Sequence, residues 1–278
     1  MAKFRPTKTI TIEHMWLRDF NVRYRKLKGA VNRFILKGET SNIINAKVYE
    51  FGSDVERLTE FMVFLKSKVN EIVLGNATTF EDAWQNKYIL ESYTRGIKEA
   101  ERDIKKSLPR KAALEVYPAD INFPESSLGF GAQTKILAPI HQKAIQLIYS
   151  RNFSDLEGIT DQMSMQISGV ISDGMGQGKG AIEIAKDING RIDKIGRTRS
   201  RLIARTETIR SYNISGVNEA SRVEEGTDLT AYYEWITTLD GRERPEHGVW
   251  DGKVFTKQEY LARIGAPNCR CGKAILFK

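Results

Sequence analysis

Thr198–Glu224 reads TRSRLIARTETIRSYNISGVNEASRVE, and soon after it Tyr232–Thr238 reads YYEWITT. The first stretch sets Leu202, Thr206, Ile209, Asn213, Val217 and Ala220 at steps of three and four, the period of one helix face. The second is aromatic and β-branched, the composition of a strand. The chain therefore changes character near Gly226. The expected fold is α+β, mainly α: helical N-terminal and middle regions followed by a small C-terminal mixed α/β unit.

Beyond the switch, Leu239-Asp240-Gly241 has turn composition, and Lys253–Phe255 and Ala274–Phe277 offer two more short strands. Before it, the pattern predicts a short helix Ala181–Ile188 that stops near Gly190. Glycines punctuate 173–180, and Ser154-Asp155-Leu156-Glu157 reads as a capping box opening a helix over Leu156, Ile159, Met163, Ile167 and Val170. A separate helix is expected at Pro139–Arg151. Prolines and glycines make 109–138 irregular.

The N-terminal third carries three helical patterns. Trp16, Phe20, Tyr24, Leu27, Val31 and Phe34 line the first, with Gly38 as its stop. Ser53–Glu56 caps a second, with a seam of Val55, Leu58, Met62, Leu65, Val69 and Ile72 that Gly75 ends. The third runs from about Thr79 to Leu108, lined by Trp84, Tyr88, Tyr93, Ile97, Ala100 and Ile104. The resulting division is 1–110, a helical N-terminal region; 111–138, an irregular linker; and 139–278, helices to about 224 with a strand-containing tail at 227–278.

Bulk properties narrow the function classes. Cys269 and Cys271 are the only cysteines, which excludes a disulfide framework. No apolar run is long enough to span a bilayer, and the first residues lack the apolar stretch of a secretory signal, so a cytoplasmic protein without a membrane partner is expected. The net charge of +8 is concentrated. Residues 1–50 hold 11 Lys/Arg against 4 Asp/Glu, and residues 191–222 hold 8 against 3. Arg23, Arg25, Lys26 and Lys28 on the first helix and Arg197, Arg199 and Arg201 near the second block could neutralise phosphates without reading sequence. A solvated helix face or an acidic protein partner explains the same charge.

Three motifs invite chemistry. Gly174–Gly180 looks like a phosphate loop, but Asp173 stands where that pattern needs glycine and Gly180 where it needs serine or threonine. His247, Cys269 and Cys271 are zinc-type ligands for which Asp240 or Asp251 could complete four, although Cys-x-Cys is tighter than usual zinc spacing. Read without metal, the two cysteines are small buried side chains or an oxidisable pair. Asp240, Arg242, Arg244, His247 and Asp251 crowd twelve residues. A carboxylate–imidazole pair could do acid–base work. No serine or cysteine nucleophile lies at a suggestive spacing, and an ion-pair network pinning the tail to Arg205 and Glu207 is the preferred reading.

Ala204-Arg205-Thr206-Glu207, then Trp235, Asp240-Gly-Arg242-Glu-Arg244, His247, Asp251-Gly252, Pro267 and Asn268-Cys269-Arg270-Cys271, in that order, resemble the Mu F-like minor head proteins of bacteriophages. The likeness is strongest over about 198–272. Some members carry Cys-x2-Cys near the region of Asp240–His247 and a histidine before the final Cys-Arg-Cys. Here Glu243 and Glu246 lie in the first region and Ala266-Pro267-Asn268 in the second.

The resemblance implies a non-enzymatic head-morphogenesis protein inside the virion head, assembled in the host cytoplasm. Its implied partners are the portal protein, capsid or scaffolding proteins and, non-specifically, phage DNA. Packaging or ejection of DNA is the implied process. It implies no cofactor, with zinc on His247, Cys269 and Cys271 as the exception to weigh. The alternatives are a stand-alone DNA-binding protein and a hydrolase or transferase using Asp240 and His247. Arg270 is expected to donate to Glu207 or Asp240.

Overall fold

The computed structural model describes residues 6–37, 55–108, 116 and 138–278. Five helices come first: α1 Ile10–Lys37, α2 Val55–Val69, α3 Asn86–Ser107, α4 Pro139–Gly176 and α5 Ala181–Glu225. The tail follows as β1 Ala231–Ile236, α6 Pro245–Trp250, β2 Val254–Phe255, α7 Lys257–Arg263 and β3 Gly272–Phe277. The architecture is mainly α with one small antiparallel sheet, as the change of period predicts.

The described residues group into two compact units. One draws on Met1–His14, Gln85–Ser150 and Ala204–Lys278, the other on Met15–Trp84 and Arg151–Ile203. In the second unit, α1 runs antiparallel to the first half of α5. Tyr24 Oη bonds Ser200 Oγ at 2.9 Å, Lys28 Nζ pairs with Asp193 at 2.7 Å and Asn189 donates to Asn32 at 2.7 Å. A Cβ on Gly196 would meet the Tyr24 ring at 2.7 Å, so glycine there lets the two helices approach. Aromatic rings fill the rest: Trp16, Phe20 and Tyr24 stack along α1, and Phe34 packs on Phe61 and Phe64 of α2.

In the first unit, β1 is the central strand, in the order β2-β1-β3. Ala231, Tyr233 and Trp235 point into the core while the residues between them are only half-buried, the alternation of a sheet with one covered face. That face packs on Ala100 and Ile104 of α3, on Leu108 at its C-cap, and on Val217, Ala220 and Val223 of α5.

Several expected boundaries move. The helices expected at Pro139–Arg151 and after Ser154 are one element, α4. Its buried stripe passes through Ile148, Asn152, Leu156, Ile159 and Met163 without a break. The amides near Ser154 therefore keep helical partners and need no cap. Likewise Gly190 does not end a helix; α5 is continuous. A glycine inside a helix costs about 1 kcal/mol, and the buried seam Ile184, Ile188, Ile192 and Ile195 outweighs it.

Of the expected seam of α2, Leu65 and Val69 are buried. Phe61 is buried where Met62 is only half-buried, and beyond Val69, where Asn70–Leu74 widen into a π-helical turn, Val73 is buried and Ile72 is not. Gly75 does end it, at φ 79°. Thr79 bonds Asp82, but inside a turn; α3 begins at Asn86. The capping box at Ser53, the stops at Gly38 and Pro109 and nearly all of 111–138 lie outside the described residues.

Candidate functional site

The chemistry-bearing residues of the tail meet in the first unit, where the turn after β1, helix α6 and the residues leading into β3 converge. Leu239 enters the turn at φ 48° and donates its N–H to Glu243 Oε2. Asp240 accepts from Arg242 N at 3.0 Å, a turn closed by its own side chain. Pro245 opens α6, a position where its missing N–H costs nothing. One turn of helix then carries His247 inward. Its ring stacks on Trp250, with centroids 5.1 Å apart, and meets Trp235 edge-on at 5.4 Å.

From the other side, Asn268 takes φ 58°, a left-handed conformation that asparagine tolerates, and donates its N–H to Thr206 Oγ1 of α5. That turn aims the next three residues. Arg270 grips Asp240 with two bonds, of 2.5 and 2.6 Å, a planar fork on a carboxylate. The guanidinium holds the Asp240 carboxyl well below the usual carboxylate range. Cys269 and Cys271 both turn to His247, their sulfurs 3.5 and 3.3 Å from Nδ1. Asn213 of α5 donates to the Cys271 carbonyl at 3.0 Å.

Burial and mutual pairing split the two thiols. Cys269 is pulled down to about 6, first by the hydrogen bond from the Cys271 side chain, then by the Cys271 N–H and the His247 ring, against its own burial. The same pairing, together with burial and Glu243, pushes Cys271 up.

The expected network is only partly assembled. Arg270 meets Asp240, not Glu207. Arg205 is not a partner of the tail at all: its Nε and Nη2 both bond Glu13 Oε1 at the start of α1, at 3.0 and 2.8 Å. The Glu13 carboxylate is almost fully buried, and a buried carboxylate needs a cation. Glu207 is buried on α5 and Trp235 sits at the centre of the aromatic cluster. Arg242 is exposed, 3.7 Å from Asp240. Arg244 donates to the Pro267 carbonyl, and Asp251 accepts from the backbone and hydroxyl of Thr237. Neither aspartate joins the cysteines. Glu243 does, its Oε1 3.5 Å from Cys271 Sγ.

Of the basic residues, Arg25, Lys26, Arg197, Arg199 and Arg201 are exposed. Arg23 instead donates to the Ile72 carbonyl and lies over the Trp84 ring, and Lys28 pairs with Asp193, so these two are spent inside the fold. The glycine-rich stretch follows a helix, not a strand, and its Lys179 pairs with Asp187. That is a helix–helix connection.

Two polar groupings escaped the sequence reading. His141 is fully buried between Tyr93 Oη and Glu219, at 3.0 and 3.2 Å, and Arg222 closes the row on Glu219. These residues lie far apart in the chain, and only the packing of α3, α4 and α5 joins them. A local signal was available in one further place: Thr256-x-x-Glu259 is a capping box, and it opens α7.

The second grouping surrounds Lys273 of β3. Its ammonium lies 5.1 Å from the centre of the Tyr212 ring, in a slot that a Cβ on Gly216 would fill, 2.3 Å from Nζ. Burial pulls its pKa down to about 8, and Asp103 and Glu99 only partly offset that. Unfolded, the lysine returns to its ordinary value of 10.5. Between those values the unfolded chain holds a proton that the folded one has lost, so stability rises with pH across that window. Below it the cost of burying the ammonium is present in full, about 3 kcal/mol. The side-chain resonance of Lys273 should titrate near pH 8; a midpoint above 10 would contradict its burial as an ammonium.

Comparison with family models matches residues 165–274 to the family described as Phage Mu protein F like protein. The match takes in the second part of α4, all of α5, β1, β2 and the start of β3, the Arg270–Asp240 pair and both cysteines. Curated proteins and solved structures gave no match.

Proposed function

We propose, from the match of residues 165–274 to the family described as Phage Mu protein F like protein, that this chain is a phage minor head protein acting at the portal vertex, in packaging or delivery of the phage DNA. The observation that carries the reading is the family match over the module that holds the site. The chemistry of that module supports a structural part. Asp240 is locked to Arg270 and held ionised, so it has no proton to exchange near neutrality. Asp251 is taken by Thr237. No described helix is long and apolar enough to cross a membrane, and the proposed location is the head interior.

Arg25, Lys26, Arg197, Arg199 and Arg201 give the protein exposed positive charge for non-specific contact with packaged DNA. One experiment separates the partners. Tagged protein expressed during infection is captured from nuclease-treated lysate and from purified heads. Portal protein is expected to be retained after nuclease treatment, and the chain to be present in heads at low copy. Loss of the portal on nuclease treatment would replace portal contact with DNA bridging. Heads that lack the protein, or that assemble and infect normally without it, would overturn the proposal.

A further inference from the structure

We propose that His247, Cys269, Cys271 and Glu243 form a tetrahedral binding site for one zinc ion, which ties the entry to β3 onto the turn and helix that follow β1. The inference is independent of the portal proposal. It rests on where four donor atoms stand. His247 Nδ1 is 3.3 Å from Cys271 Sγ and 3.5 Å from Cys269 Sγ, and Glu243 Oε1 is 3.5 Å from Cys271 Sγ. The ligand atoms of His247, Cys269 and Cys271 all lie within 4.8 Å of one another, and all three residues are buried. Zinc binds sulfur at about 2.3 Å and nitrogen or oxygen at about 2.0–2.2 Å. Tetrahedral arms of those lengths put sulfur about 3.5 Å from nitrogen or oxygen and about 3.8 Å from the other sulfur. The two nitrogen–sulfur separations match edges of that tetrahedron, and Glu243, which stands beside Cys271, is the carboxylate placed to close it by a small side-chain movement toward the other two ligands.

The surroundings fit a metal better than a hydrogen-bonded triad. A neutral imidazole has one acceptor nitrogen, and here two sulfurs converge on it. The ring is already fixed by Trp235 and Trp250, as a metal ligand must be. Glu243 is half-buried and anchored through its other oxygen by the Leu239 N–H, so its free oxygen faces the cysteines. Cys-x-Cys spacing is sufficient because the turn at Asn268 brings both sulfurs to one side while Arg270, between them, goes to Asp240.

Binding forms two Zn–S bonds, one Zn–N bond and one Zn–O bond. Any thiol proton still present leaves to solvent, and nothing is oxidised or reduced. Two thiolates, a carboxylate and the dication sum to one negative charge. Arg270, whose guanidinium is influenced by Glu243 and Cys271 as well as by Asp240, stands beside it.

The test uses the full chain, purified under reducing conditions without chelator, with metal measured by mass spectrometry. About one zinc per chain is expected. Replacement by Co2+ should give intense tetrahedral d–d bands and a thiolate-to-cobalt charge-transfer band. Cys271→Ser should weaken that band, and Cys269→Ser together with Cys271→Ser should abolish it. Glu243→Gln, at a half-buried position where folding should survive, should weaken metal binding by at least about tenfold, the low end of what even an outer partner costs. Asp251→Asn should leave binding unchanged. If Cys271→Ser does not fold, the cobalt spectrum of the unmodified chain decides. Three results would overturn the site: protein that stays metal-free after exposure to Zn2+, a cobalt form without thiolate charge transfer, or a chain whose cysteines are joined as a disulfide. An effect at Asp251 instead of Glu243 would overturn the ligand assignment.

Discussion

Replacing Trp235 with alanine is expected to lower the unfolding free energy by about 3–5 kcal/mol, the range for emptying a large aromatic site. Trp235 is fully buried on the central strand and meets four rings edge-on: His247, Trp250, Phe255 and Tyr260. These come from α6, β2 and α7, so the indole is the common surface on which three short elements settle. None of them is long enough to be stable alone. Removing it leaves a cavity that the sheet cannot close without breaking its pairing with α3 and α5. The indole N–H has no hydrogen-bond partner among the described residues. Trp235→Phe should therefore cost much less than the alanine change, since it removes an unpaired donor along with part of the ring. Urea unfolding of the full chain measures both. A loss below about 1 kcal/mol for the alanine variant would mean that the aromatic cluster is not a core.

The second large effect is expected at Gly96. Ser92, Gly96 and Ala100 form the face of α3 that lies along α5, and Ser92 donates to the Thr208 carbonyl across the contact. A Cβ on Gly96 would stand 2.0 Å from Ser215 Oγ and 2.3 Å from the Tyr212 carbonyl oxygen. The hydroxyl can rotate away; the backbone carbonyl cannot. Gly96→Ala must push the helices apart, and with them the buried row from Tyr93 through His141 to Glu219. A loss of about 3 kcal/mol or more is expected, at the top of the range for overpacking. It arises despite alanine's better helix propensity. Gly190→Ala is the control: it lies within α5 with open space around it and should be stabilising by about 0.5–1 kcal/mol. If both substitutions stabilise, the close approach of α3 and α5 is absent in solution.

What could be read without the structure follows from the range of the interactions. The faces of α1 and of the second half of α5, the end of α2 at Gly75 and the strand at Tyr233–Trp235 depend on periods of two or 3.6 and on single-residue preferences. Those are properties of neighbours in the chain. The same reasoning misplaced Ser154 and Gly190, because a capping box or a glycine only offers an end. Whether the helix takes the offer depends on the apolar stripe it would have to abandon, and in α4 and α5 that stripe continues.

The candidate site divides along the same line. Its members were legible as a residue inventory: Asp240, His247, Cys269, Arg270 and Cys271 stand out by type and order. Their partners were not. Arg205 looked suited to the tail, but a carboxylate buried 192 residues away, Glu13, holds it. Glu243 looked like a departure from a cysteine pattern, and folding sets its oxygen beside a sulfur.

By itself the sequence determined that the Cys269-Arg270-Cys271 tail follows a long helix and a strand, and which residue types it carries. Only the tertiary structure decided that Arg270 closes on Asp240 while both sulfurs turn to His247. The physical reason is that a charge or a thiol has no preferred neighbour along the chain. It takes whichever complementary group packing brings within about 3 Å, and packing is decided by the burial of Trp235 and the approach of α3 to α5.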